Sequence, residues 1–158
     1  MGRFGLEGKV VLVTGGARGI GYETARLAHA KGASLALVDL DAGATERAAQ
    51  SIGAGVIGLG ADVTDRGAMD DVVARTAERL GGLDVVVANA GIAPRGVTLR
   101  AMDRDVFERV IDVDLLGVWR TVQPALPYVV AGRGQVVRVD RRLERDATIQ
   151  AILRDADR

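Results

Sequence analysis

Val10-Val11-Leu12-Val13 runs without a break into Thr14-Gly15-Gly16-Ala17-Arg18-Gly19-Ile20-Gly21, and no other stretch limits the possible folds as tightly. A short aliphatic run of this kind reads as a strand buried on both faces. The residues after Gly21 follow a helical pattern. Glycines at 15, 19 and 21 remove Cβ atoms where the strand must turn sharply into the helix. Backbone bared in this way can approach a pyrophosphate, whose charge would rest against the unpaired N–H groups of the helix N-terminus. A glycine-rich turn can also serve packing alone. The spacing is T-G-x-x-x-G-x-G and not the G-x-G-x-x-G of the general dinucleotide fingerprint.

Aliphatic runs and helical patterns alternate along the chain, the signature of βαβ units and a parallel sheet. Strands are expected at Val10–Thr14, Ser34–Asp39, Val56–Gly60, Val85–Ala88 and Gln135–Val139. Ile20, Thr24, Leu27 and Ala28 share one helical face, as do Met69, Val72, Val73, Thr76 and Leu80. Gly32 and the pair Gly81-Gly82 stand where helices must stop. Met102 to Ala131 reads as two helical segments meeting near Asp112–Asp114, with Pro124 and Pro127 expected to kink the second. Right-handed crossovers then give a three-layer α/β sandwich, a doubly wound parallel sheet of five strands in the order 3-2-1-4-5. A nucleotide would lie at the switch between strands 1 and 4. Residues 1–139 form this domain. Residues 140–158 turn densely charged and read as a terminal amphipathic helix or a solvated tail.

Several functions are disfavoured by composition. Lys plus Arg equals Asp plus Glu at 21 each, so no net field favours nucleic acid or an anionic membrane. Cysteine is absent, which removes disulfides, thiolate catalysis and Cys-based metal sites and fits a reducing cytoplasm. No apolar run approaches the roughly 18 residues of a membrane span, and no His/Asp/Glu cluster has metal-ligand spacing. His29, the single histidine, reads as a solvated helical residue. Trp119 reads as core or interface. A cytoplasmic protein is expected.

Asp39 ends the second strand, where a carboxylate can accept both hydroxyls of an adenosine ribose and repel a 2′-phosphate. That favours NAD over NADP, although Arg18 could pair with a phosphate. The alternative for Asp39 is an acid at the start of the next helix, near Asp41. Further on, Asp62-Val63 follows the third strand and Ala88-Asn89-Ala90-Gly91 ends the fourth. With these features the sequence resembles the short-chain dehydrogenase/reductase family. The likeness continues through Val110-Ile111-Asp112-Val113-Asp114-Leu115-Leu116-Gly117-Val118 and stops near Val139.

The resemblance implies a Rossmann-like domain whose cofactor is held by Thr14, Gly15, Arg18, Gly19, Ile20 and Gly21, with Asp39 at the ribose. It assigns the Asp62 carboxylate to the adenine amino group and the Val63 N–H to the ring. Asp62 could instead cap the helix that starts near Asp65. Asn89, Ala90 and Gly91 stand for the family's N-N-A-G motif, where small residues let backbone pass the cofactor ribose; Asn89 and Thr14 can tie neighbouring strands together.

Family members move hydride between a nicotinamide and a carbonyl or alcohol. A Tyr serves as acid/base, a Lys four residues later lowers its pKa, a Ser positions the oxygen and an Asn completes a proton relay. None of that set is found at family spacing here. Tyr22 and Tyr128 are followed four residues on by Arg26 and Gly132; the lysines are Lys9 and Lys31, and the serines Ser34 and Ser51. Asp114 replaces the relay Asn, and an ionised carboxylate cannot donate a hydrogen bond. Two readings follow: an NAD(H)-binding domain of oxidoreductase type with little turnover, its chain shortened, internally deleted or frame-shifted after Val139, or a truncated nucleotide-binding interaction protein that self-associates or pairs with a full-length relative. In either reading the long helix around Trp119, with Leu115, Leu116, Val118 and Val122, presents an apolar face suited to a homo-oligomer.

Overall fold

The computed structural model describes residues 5–94 and 99–139. Five parallel strands form one sheet in the order β3-β2-β1-β4-β5, as the sequence pattern requires. They are β1 (Val10–Thr14), β2 (Ser34–Asp39), β3 (Val56–Gly60), β4 (Val85–Ala88) and β5 (Gln135–Arg138). The fifth strand ends one residue short of the expected Val139, which still donates its N–H to Ala88 O. Register is regular: Val10 pairs Ser34, Val11 pairs Val85, Leu35 pairs Val56 and Val85 pairs Gln135.

Helices α1 (Gly19–Ala30), α2 (Ala42–Ile52), α3 (Arg66–Leu80), α4 (Arg104–Ile111) and α5 (Gly117–Ala131) fill the connections. Alternation along β1 divides the core between the two faces of the sheet. Val10 and Leu12 join Met69, Val72 and Val73 of α3 and Ala125 and Val129 of α5. Val11 and Val13 join Ala25 and Ala28 of α1 and Ala48 and Ala49 of α2. The small residues on this second face let helices lie close: a Cβ on Gly58 would stand 2.5 Å from the Thr45 backbone.

The core-facing side of α3 is the expected one, whereas that of α1 is not. Gly21, Ala25 and Ala28 are its buried residues, and Ile20 is 58% exposed. The helix turns its smallest side chains towards the sheet, where they permit close packing. His29 is likewise not a freely solvated residue: it is half-buried, and Nδ1 lies 3.1 Å from Ala33 O at the helix end. The helical stretch after Asp103 does divide near Asp112, through a π turn over Asp112–Leu116. Pro124 and Pro127 lie inside α5, which continues past both to Ala131. Helix α4 buries none of its residues. The charged stretch 140–158 lies outside the described residues.

Candidate functional site

Of the helices that begin after a loop, α2, α3 and α4 are capped by Asp41, Asp65 and Asp103, each accepting a backbone N–H of its first turn. Helix α1 is the exception among the described residues: Arg18 at its N-cap offers no side-chain acceptor, and no acidic residue stands in its first turn. The N–H groups of Gly19, Ile20 and Gly21 therefore keep the charge and the open valences of a helix N-terminus.

The three glycines of this turn do different work. A Cβ on Gly21 would collide with Gly15 O, and one on Gly15 would stand 2.7 Å from Asn89 Nδ2, so both are set by protein packing. Gly19, at φ +59°, meets no protein atom within 4 Å of a Cβ position. The cradle there is open on the side facing the uncapped helix end, which fits a pyrophosphate.

Neighbouring strands are joined beneath the turn by Thr14 and Asn89. Thr14 Oγ1 accepts the N–H groups of Asn89 and Ala90, both at 3.1 Å. Asn89 Nδ2 donates to Thr14 O at 2.9 Å and to Gly15 O at 3.3 Å. Asp39 stands at the end of β2. Its Oδ2 accepts the Ala17 N–H at 3.2 Å and its Oδ1 the Leu40 N–H at 2.9 Å. The carboxylate is thereby tied to the glycine loop, and the helix-capping role falls to Asp41.

Asp62 does not cap α3; Asp65 does. Instead Asp62 Oδ1 accepts the Thr64 N–H and the Thr64 hydroxyl, each at 2.8 Å, and Oδ2 faces Arg109 Nη2 at 3.4 Å. Burial opposes ionisation of Asp62, yet the Thr64 donors and the Arg109 guanidinium outweigh it and hold the carboxyl below its usual value. Val63 is buried beside it. Its N–H makes no hydrogen bond within the described residues. Asp114 Oδ1 accepts the Ile92 N–H at 2.8 Å and lies against Gly91. The glycine turn, Asp39, Asp62-Val63 and Asn89-Ala90-Gly91 thus gather at the carboxyl ends of β1 to β4, the edge where open α/β sheets take ligands.

The remaining candidates make contacts of their own, and Tyr22 and Ser51 line a cavity beside Ala17, Arg18 and Gly19 of the turn. Tyr22 Oη and Ser51 Oγ are 2.9 Å from each other between α1 and α2, and Lys9 Nζ pairs with Asp84 Oδ1 at 2.7 Å. Trp119 carries the Arg66 guanidinium 5.4 Å from its ring centroid. Among the described residues no group of three or more His, Asp or Glu could hold a metal ion, and no helix is long and apolar enough to cross a membrane. Sequence reasoning missed Arg109, Thr64 and Asp84; the Asp-Val-Thr turn carried a signal for Thr64, because a hydroxyl two residues after an Asp commonly closes an Asx-type turn.

The fold defines a doubly wound, Rossmann-like α/β protein. A family model described as short chain dehydrogenase matches residues 9–145, so the chain belongs to the short-chain dehydrogenase family. It is 40% identical to cis-4-hydroxycyclohexanecarboxylate dehydrogenase of Sinomonas cyclohexanicum, over 83% of this chain and 54% of that protein. It is 35% identical to L-fucose dehydrogenase of Mus musculus, over 84% of this chain and 48% of the other. A 3-ketoacyl-(acyl-carrier-protein) reductase from Brucella melitensis, solved with NADH, superposes with a TM-score of 0.76 at 31% identity, over 78% of this chain and 50% of that one. The chain spans about half the length of the relatives it matches.

Proposed function

We propose that this chain binds NAD(H) in the manner of a carbonyl/alcohol oxidoreductase, and that these 158 residues alone turn over little or no substrate. The observation that carries the binding is the uncapped N-terminus of α1 opening on the free space at Gly19. In this reading the N–H groups of Gly19, Ile20 and Gly21 hold the pyrophosphate, with Thr14, Gly15 and Arg18 shaping the turn. Asp39 accepts the ribose hydroxyls, Asp62 and Val63 present an acceptor and a donor to adenine, and Asn89, Ala90 and Gly91 flank the nicotinamide ribose. The NADH held by the Brucella reductase supports the same cofactor class. When bound, the nicotinamide would supply or accept hydride.

The proton side of that chemistry lacks its residues here. Asp114 already accepts the Ile92 N–H and, ionised, has no proton to donate. Tyr22 shares a hydrogen bond with Ser51, and no lysine stands four residues after it. The test is calorimetric titration with NADH and NADPH. NADH should bind more tightly, Asp39→Ala should weaken NADH more than NADPH, and Gly19→Val should abolish both. Tighter NADPH binding by the parent would overturn the cofactor assignment.

A second part of the reading concerns assembly. Helix α4 buries no side chain, and Phe107, Leu115, Leu116 and Trp119 are all exposed. We infer a homo-oligomer formed through this α4–α5 face. Val122, expected to join that face, instead packs against the core, and Val118 is half-buried, so the surface is narrower than the sequence implied.

A further inference from the structure

Helix α4 is held to the rest of the molecule in an unusual way. None of its residues is fully buried, and its one sequence-distant side-chain hydrogen bond or ion pair among the described residues is Arg109 Nη2 to Asp62 Oδ2 at 3.4 Å; the other α4 ion pair, Arg104 to Glu108, lies within the helix. The two oxygens of Asp62 are unequally used. Oδ1 accepts two donors from Thr64, which fixes the orientation of the carboxylate. The lone pairs left for a ligand are those of Oδ2, the oxygen that Arg109 approaches. One residue on, the Val63 N–H has no hydrogen-bond partner within the described residues. An acceptor and a donor on adjacent residues match the amino group and ring nitrogen along one edge of adenine.

We propose that Arg109 is a positioning residue that couples α4 to occupancy of the adenine site. The inference rests on the nucleotide reading above. An adenine amino group on Oδ2 would share that oxygen with Arg109. The base would exclude water beside the pair, and a charge pair strengthens as the local dielectric falls. Nucleotide binding thereby tightens the hold of Asp62 on α4. By linkage, a docked α4 holds Asp62 ready for the base, and the two effects are equal in free energy.

The experiment is amide hydrogen exchange on the full chain with and without saturating NADH, together with NADH titrations, for the parent, Arg109→Ala and Arg109→Lys. Arg109 is half exposed, so its replacement leaves the core intact. In the parent, NADH should slow exchange in the Gly15–Gly21 turn and also across Arg104–Ile111. Arg109→Ala should retain the slowing in the turn, lose it in α4 and weaken NADH about two- to fivefold, the range expected of a partly exposed ion pair. Arg109→Lys should restore part of both effects, which a purely structural role for the side chain would not require. Slowing of the turn with α4 unchanged in the parent overturns the inference alone, and so does equal slowing of α4 in Arg109→Ala. No slowing in either segment overturns the nucleotide reading and this inference together.

Discussion

Gly21 lies so close to the carbonyl oxygen of Gly15 that no Cβ fits between them. The same Cβ would stand 2.6 Å from Asn89 Nδ2, the donor that binds this turn to the end of β1. Gly21→Ala is therefore expected to destabilise the fold by about 1–3 kcal/mol through overpacking. At this chain length that lowers Tm by about 2–4 °C per kcal/mol. Gly19→Ala meets open space, and its cost is the left-handed backbone, about 1–2 kcal/mol. Thermal denaturation of the two variants beside NADH titration separates the roles. A Gly21→Ala protein as stable as the parent would mean the turn yields freely.

Asp84 carries the clearest pH dependence. Its burial disfavours the charge, but the Lys9 ammonium and the Val10 N–H, at 2.7 and 2.9 Å, more than compensate and lower its pKa. The folded carboxyl thus holds its proton less tightly than the unfolded one near 3.9. Its contribution is complete above that value and is lost as pH falls through the folded pKa. Lys9 is about one-third exposed, at 32%, so water screens the pair and its worth is at most about 1 kcal/mol. Asp84→Asn should lower stability at pH 7 by about that amount and flatten the acid limb of a urea-denaturation series. An acid limb unchanged in the variant would assign the pH dependence to other carboxylates.

Trp119→Asp tests the oligomer. The ring is 50% exposed and its described polar contact is the Arg66 guanidinium, so little monomer stability depends on it. Light scattering should give a dimer or larger species for the parent and a monomer for the variant, with circular dichroism unchanged. A parent that is monomeric at tens of micromolar would remove the assembly proposal.

Catalysis is expected to be absent from these residues alone. General acid–base assistance is worth about 10²–10⁴-fold, and no tyrosine here has a lysine four residues later. NADH oxidation with a panel of ketones, aldehydes and quinones should not exceed background. Turnover that is lost in Asp39→Ala would reverse this conclusion and make Asp114 the first acid to replace.

The central strands were legible because burial on both faces makes them almost wholly aliphatic: β1 and β4 have no exposed residue, whereas β5 at the sheet edge is mostly exposed and showed only in its Val136-Val137 pair. The glycine turn, Asp39 and the Asn89 motif were legible because each sits where a strand ends. The inner face of α1 was not, since Gly21 and Ala25 carry little hydrophobic signal while Ile20 and Leu27 beside them carry much. The Asp62–Arg109 pair joins positions 47 residues apart, which no local period encodes. The choice between Asp62 and Asp65 as helix cap depended on which carboxylate could reach an N–H, and three residues of turn geometry decided it.

The π turn at Asp112–Leu116 acts as an angular spacer. One extra residue in a helix changes the phase of everything beyond it by about 100°. Arg120 clamps the turn by donating from Nη1 to Asp112 Oδ1 at 2.7 Å. Deleting one residue from this segment would let α4 and α5 run on as a single regular helix. The upstream half would then rotate by roughly a quarter turn, carrying Arg109 away from Asp62 and turning Phe107 towards a different side. The bearing of α4 around its own axis is thus written into the length of a five-residue segment, and a single-codon change there would re-aim a whole helix without altering any residue on it.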